Sequence, residues 1–346
     1  MKIAGRAFAR EELMARVGNS SQLVGAYPFE FESGPARGMR ALECWNSAGL
    51  QFAVLPDRGM DIGALRYRGL SLAWISPRGP IAPAFYRPEG WGWVHTFGGG
   101  GLVSCGLTTM GVPAKDAGED LPLHGQISHV PADFCTADTV WRGDTPALQI
   151  HGKIREAVPF GRNLTLERTI LMPADQPSIH ISDKITNCAH APTAHMMLFH
   201  INLGFPLVGE GAHIDANLKD IVAREDGISP AGFGTWAEIS APQPDYVEQI
   251  FYATMAPDSQ GYTQIALVNP VLDLALTIRY RAAELPYCVI WKMLAPGSYV
   301  VGLEPCNAWE EGRDKERAAG RLRTLAPGKE VAYDLELVVG RAEQDR

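Results

Sequence analysis

One imidazole and one carboxylate on alternating segments stand out as the residues in this chain that could do chemistry together. In Met196–Pro206, the residues Met197, Phe199, Ile201 and Leu203 recur at the two-residue period of a strand. His200 and Asn202 fall on the opposite face, beside Leu198. In Tyr299–Pro305, one face carries Tyr299, Val301 and Leu303, and the other carries Val300, Gly302 and Glu304. Gly302 is expected to leave open space beside Glu304 for an approaching ligand. An imidazole and a carboxylate on open strand faces suit paired general acid–base work.

Three further segments carry polar or aromatic side chains of the right kind. Leu121–Gln126 places His124 in a turn bounded by proline and glycine, from which a side chain can reach over a sheet. Leu55–Gly63 sets Asp57, Arg58 and Asp61 among glycines. Trp91–Gly101 brings Trp93, His95 and Phe97 into a run of four glycines. Aromatic faces stack on sugar rings, and Arg, Asn, His and carboxylates bind hydroxyls. Arg58, Asp61, His95 and Asn202 are therefore candidate substrate contacts. Plainer readings stand beside these: Arg58 and Asp61 also fit an ion pair that pins a turn, and Trp93 and Phe97 also fit a core. His129, His151, His180, His190, His195 and His213 lack a comparable context and read as structural. Glycines 98–101 lack the spacing and following helix of a phosphate loop, and read as close backbone approach.

The elements that must position these residues are strands. Ala147–Arg155 and Leu164–Leu171 flank a Pro159–Asn163 turn as a hairpin. Ser178–Ile185 alternates, and further strands are expected at 264–268, 272–280, 287–294, 298–304 and 331–339. Arg10–Arg16 is the clearest helix, and Arg313–Arg323 reads as a solvated loop or short helix. Many short strands with scattered turn residues (36 Gly, 25 Pro) and no βαβ alternation predict an all-β protein, a large antiparallel sandwich or barrel with few short helices. A single domain over 1–346 is expected, with 1–20 as an N-terminal extension and 341–346 frayed.

Composition narrows the function classes. A net charge of -8 provides no basic footprint for nucleic acid or an anionic membrane surface. No run approaches the ~18 apolar residues of a membrane span. The six cysteines form no CxxC pair, and the N-terminus has no apolar core of a secretory signal, so a reduced, cytoplasmic location is expected.

Taken in order, His124-Gly125, His200-Ile-Asn-Leu-Gly204 and Gly302-Leu-Glu304-Pro305 resemble the galactose mutarotase-like superfamily, the aldose 1-epimerases, and more closely an uncharacterised bacterial branch of it. The likeness runs from about Gln51 to Val339. One departure is that the common central motif ends in Tyr-Phe-Asn-Leu, whereas this chain reads Phe199-His200-Ile201-Asn202-Leu203, which also registers with His200 in the tyrosine's place. The resemblance implies a β-supersandwich holding a sugar in a groove on one concave sheet. It further implies Glu304 as general base, His200 as general acid and His124 orienting a free monosaccharide or derivative, with no metal or cofactor. Two alternatives remain open from the residues: a metal-dependent sugar isomerase with His124, His200 and Glu304 as ligands, and a non-catalytic carbohydrate-binding protein. A homodimer is compatible with either.

Overall fold

A computed structural model describes residues 1–3, 5–224 and 233–342; part of the 341–346 tail expected to fray lies outside the described residues. Two large antiparallel sheets carry the architecture. The eight-stranded sheet runs, in spatial order, Ala132–Arg142, Thr145–Ala157, Asn163–Pro173, Ser178–Asn187, Glu330–Gly340, Leu274–Arg281, Tyr262–Asn269 and His213–Ala216. The second runs Leu218–Ala223, Gln249–Met255, Tyr287–Ala295, Ser298–Cys306, Thr193–Gly204 and Arg323–Leu325, with Val103–Leu107 also paired to Thr193–Gly204. A smaller five-stranded sheet spans Val24–Glu30 to Leu70–Ser71. Among the described residues the two α-helices, Arg10–Met14 and Arg313–Ala318, are short, and no helix is long and apolar enough to cross a membrane.

Alternation explains how the two large sheets stack. Ile150, Ile170, Ile181, Ile278 and Leu337 of the first sheet share one buried cluster with Met197, Phe199, Ile201, Val301 and Leu303 of the second. The apolar faces of the His200 and Glu304 strands are thus the inner layer of a sandwich. The opposite face of the second sheet is covered by a separate apolar cluster that includes Trp93, Leu198, Ile250 and Val289. The residues with chemical potential sit on this outer face, over a rigid double layer. The N-terminal segment is tied down rather than loose, because Met1 and Leu13 join the main core.

One expectation needs correcting. Arg313–Arg323 does begin as a short helix with most of its residues exposed, but two of its charges are not solvated: Arg313 and Glu316 are buried. Arg313 Nε donates to Asp116 Oδ2 at 2.7 Å, and Arg321 Nη2 donates to Glu316 Oε1 at 2.6 Å. Pairing lets these charges leave water, which a pattern of charged residues alone does not reveal.

Candidate active site

Strand register brings the two key groups together. Leu198 pairs with Cys306 and Ile201 with Leu303, so His200 falls opposite Glu304 on adjacent antiparallel strands. Their side chains meet: His200 Nδ1 lies 3.3 Å from Glu304 Oε1, with the residues only 5% and 1% exposed. Neither atom has a well-aligned hydrogen bond within the protein. Buried polar atoms are nearly always satisfied, and exceptions call for a functional explanation. Gly302 departs from its expected role: a Cβ there would run into the Glu304 carboxylate and lie 3.2 Å from Trp291 Cβ. The space is used by the carboxylate itself.

The pair forms the floor of a cavity of about 310 Å³, within the ~300–1,000 Å³ of small-molecule sites. Its walls are aromatic. Phe97 and Trp291 lie 5.3 and 5.5 Å from the His200 ring, and Trp93 stacks on Phe97 at 4.6 Å. Trp74 adds a further face, 6.3 Å from Trp291. A charged ladder climbs one side: Trp291 Nε1 donates to Glu248 at 2.7 Å, and Arg224 reaches Glu248 at 3.7 Å and Glu310 at 3.2 Å.

His124 joins the pair, its ring 5.6 Å from that of His200 and 4.7 Å from Trp93. It occupies a left-handed backbone conformation (φ 55°), followed by Gly125 at φ 72°, a turn that histidine tolerates better than most side chains. The Gly111 N–H donates to its Nδ1 at 3.3 Å. Burial lowers its pKa to about 3. His124 is therefore a neutral imidazole whose Nε2 carries the proton.

Burial also pushes the His200 imidazole well below its ordinary range; the neighbouring His124 adds to this and the Asn202 amide opposes it. Glu304 moves the other way, well above the ordinary carboxylate range, through burial and then repulsion from Glu310 and Glu248. Both shifts favour the neutral forms, a protonated carboxyl beside a neutral imidazole. An imidazolium facing a carboxylate is the same proton moved across 3.3 Å.

Of the expected substrate contacts, four lie outside the cavity lining. Asn202 sits behind His200, its Nδ2 donating to the Gly100 and His200 carbonyls at 3.1 and 3.0 Å. Asp61 is buried with Arg168 at 3.7 Å and accepts the Ser104 N–H at 2.9 Å, which anchors the strand whose Val103 pairs with His200. Burial raises its pKa to about 6 against the pull of Arg168. Arg58 donates to the Ile81 carbonyl at 2.8 Å and approaches His129 Nε2 at 3.3 Å, a nitrogen also 2.7 Å from Thr96 Oγ1. His95 is exposed. The first three are scaffolding because the sandwich and its glycine-rich loop close over them. Residues 98–101 do reflect close backbone approach: a Cβ on Gly100 would press on the Ile62 carbonyl at 2.7 Å.

Trp74, Arg224, Glu248, Trp291 and Glu310 line the cavity without having been singled out from sequence. Trp291 was within reach, since alternation along Tyr287–Ala295 puts it on one face with Val289 and Met293. Glu310 lies in a segment beyond its strand and had no periodic signal. Among the described residues, no group of three His, Cys, Asp or Glu side chains is arranged to hold a metal ion. A larger groove of about 780 Å³ contains none of the candidate residues, and its Arg162 and Arg313 are already paired with Glu119, Glu156 and Asp116.

A model of the family described as a domain of unknown function (DUF4432) matches residues 36–339. The chain belongs to that family. No curated protein matches the sequence. Among solved structures, a Klebsiella pneumoniae protein provisionally named as an aldose 1-epimerase is similar at 26% identity and TM-score 0.88, over 94% of this chain and 87% of that one. A galactose mutarotase-like protein from Clostridium acetobutylicum shares the fold at 13% identity and TM-score 0.61, over 92% and 99% of the two chains. A galactose 1-epimerase from Lactobacillus acidophilus does so at 11% and 0.61, over 92% and 100%. This DUF4432 chain therefore has the galactose mutarotase-like fold of carbohydrate epimerases, as the three motifs implied.

Proposed function

We propose that the protein is a cofactor-independent sugar mutarotase or closely related epimerase acting on a free aldose or derivative. The observation that carries this reading is the His200–Glu304 pair, 3.3 Å apart and unsatisfied, on the floor of an aromatic-walled cavity. Ring opening of a cyclic hemiacetal removes the O1 proton and delivers a proton to the ring oxygen. In the imidazolium–carboxylate form of the pair, reached by moving the shared proton from Glu304 to His200, Glu304 takes the first and His200 supplies the second. After rotation about C1–C2, closure on the other carbonyl face returns both protons. The pair needs only one transferable proton for this. His124, fixed as a neutral Nε2–H donor, orients a sugar oxygen without competing for that proton. Each positioned acid or base is worth ~10²–10⁴ in rate, ample for a reaction that already proceeds unaided.

The test is anomer exchange measured by NMR across aldoses, ketoses and uronic acids. The wild type is expected to accelerate exchange of at least one sugar. Glu304→Gln, which keeps the shape but removes the proton acceptor, should bind that sugar and lose exchange by at least ~10²-fold. A sugar that binds the wild type without any exchange of its anomers would replace this reading with a carbohydrate-binding protein.

A further inference from the structure

We infer that the protein forms a two-fold homodimer by pairing the edge strand Ala132–Arg142 with the same strand of a second copy. The eight-stranded sheet ends on this strand, whose other side pairs with Thr145–Ala157 along nearly its whole length. The Phe134 carbonyl faces that neighbour, since a Cβ on Gly152 would stand 2.6 Å from it. Backbone direction alternates along a strand, so the N–H and C=O groups of Cys135, Ala137, Thr139 and Trp141 face outward. Among the described residues, no other segment's backbone bonds to them.

Open edges invite pairing with another chain, and proteins ordinarily shorten, cover or block them. The other edges of the three main sheets follow that rule. Leu70–Ser71 and Arg323–Leu325 have two and three residues. His213–Ala216 is covered by the backbone at Ala237 and Glu238. Leu218–Ala223 carries exposed Lys219 and Asp220 at an irregular register, and Val24–Glu30 carries Pro28. Ala132–Arg142 differs. It runs for 11 residues without proline or lysine, its irregular register is confined to Ala132–Phe134, and its middle residues Thr136, Ala137 and Asp138 are exposed.

A second copy fits because the strand complements itself. A two-fold axis at Ala137 sets Phe134, 43% exposed, against Val140 of the other copy, an apolar pair formed twice. Cys135 then meets Thr139, and Asp138 meets Thr136 rather than its own symmetry mate. At each end Asp133 comes beside Arg142 of the other copy, so opposite charges meet. Pairing from Cys135 to Thr139 makes about six backbone hydrogen bonds. The two-fold closes the assembly, because each copy's long edge is used once.

Sedimentation velocity across micromolar concentrations tests this, with a species of twice the chain's mass expected. Ala137→Pro removes an outward N–H at the axis while sparing the ladder to Thr145–Ala157, and should raise the dimer dissociation constant by at least about tenfold. Register is read by cysteine pairing in a background where exposed Cys188 is replaced, Cys188→Ser. Ala137→Cys should form a disulfide-linked dimer on mild oxidation, because hydrogen-bonded antiparallel partners stand about 5.5 Å apart at Cα, within a disulfide's span. Arg142→Cys, far from the axis, should not. A wild type that stays monomeric, or that takes up only unrelated extended peptides, would overturn the inference. So would an unchanged dissociation constant in folded Ala137→Pro, or cross-linking no better at 137 than at 142. If Ala137→Pro does not fold, the cysteine comparison decides.

Discussion

Gly302→Ala offers a demanding test of the site, because it changes one methyl group and no ionisable residue. Gly302 lies within the strand Ser298–Cys306, pairs with Asn202 and Trp291, and has no left-handed φ, so alanine can adopt its backbone conformation. The new Cβ would overlap Glu304 Oε1 and stand 3.2 Å from Trp291 Cβ. Restoring ordinary van der Waals contact requires the carboxylate oxygen to move by about 1 Å, while the tryptophan must give by only a few tenths of an ångström. Misplacement of a reacting group by ~1 Å costs about 10²-fold in rate, whereas overpacking at one position costs ~1–3 kcal/mol of stability. The expectation is a folded protein with its anomer-exchange kcat reduced about 10²-fold on any sugar the wild type accelerates. Exchange NMR reads the first quantity and thermal unfolding the second. Wild-type exchange in a folded Gly302→Ala protein would refute the premise that the carboxylate works from this position.

Three other outcomes follow from the same geometry. His200→Asn should reduce exchange by at least ~10²-fold, and the double variant with Glu304→Gln should be hardly slower than either single one, because acid and base act in one event; multiplicative losses in a double-mutant cycle would separate their roles. If activity needs the singly protonated pair, the acid limb of the pH–rate profile follows the lowered His200 and lies well below the ordinary imidazole value of 6.5, while the alkaline limb follows the raised Glu304 and lies well above 4.5; a fall in rate centred at 6.5 on the acid side would contradict this. Glu310→Gln removes a negative charge that raises Glu304, so it should make the carboxyl easier to ionise and move the alkaline limb to lower pH; an unmoved or raised limb would show that Glu310 does not act on Glu304 through charge.

Much of the site was legible because it depends on strand period. Two-residue alternation placed Met197, Phe199, Ile201, Val301 and Leu303 in the core and His200 and Glu304 on the outer face before any pairing was known. The fact that the two strands are neighbours, in a register that sets 200 against 304, is long-range information that no local pattern carries. The same limit explains Arg58, Asp61 and Asn202. Their residue types suit hydroxyl binding, but whether a polar side chain faces a ligand or the underside of a loop depends on what folds over it. Here Ile81, Ser104 and Gly100 arrive from distant segments to bond Arg58, Asp61 and Asn202 respectively. The burial of Arg313 and Glu316 was obscured for a related reason, since a buried ion-pair network has the composition of a solvated surface.

The scaffolding roles of those residues still bear on the chemistry. Asp61 holds the Ser104 amide, and the adjacent Val103 pairs with His200; Asn202 donates to the carbonyl of His200 itself. Tyr86 donates to the Gly125 carbonyl at 3.0 Å and stacks on His129 at 4.0 Å, which links the Arg58–His129–Thr96 group to the turn bearing His124. The polar residues around the loop of four glycines therefore fix the backbone beneath His200, Glu304 and His124, the proposed acid, base and orienting donor, while the cavity itself is walled mainly by aromatic rings. Such a division suits a reaction in which one proton is relayed inside a buried pair. Under the proposed function, the hydrogen bonds behind the strands hold the two atoms 3.3 Å apart, and the aromatic walls would keep that proton from competing solvent while a sugar supplied the remaining hydrogen-bonding groups.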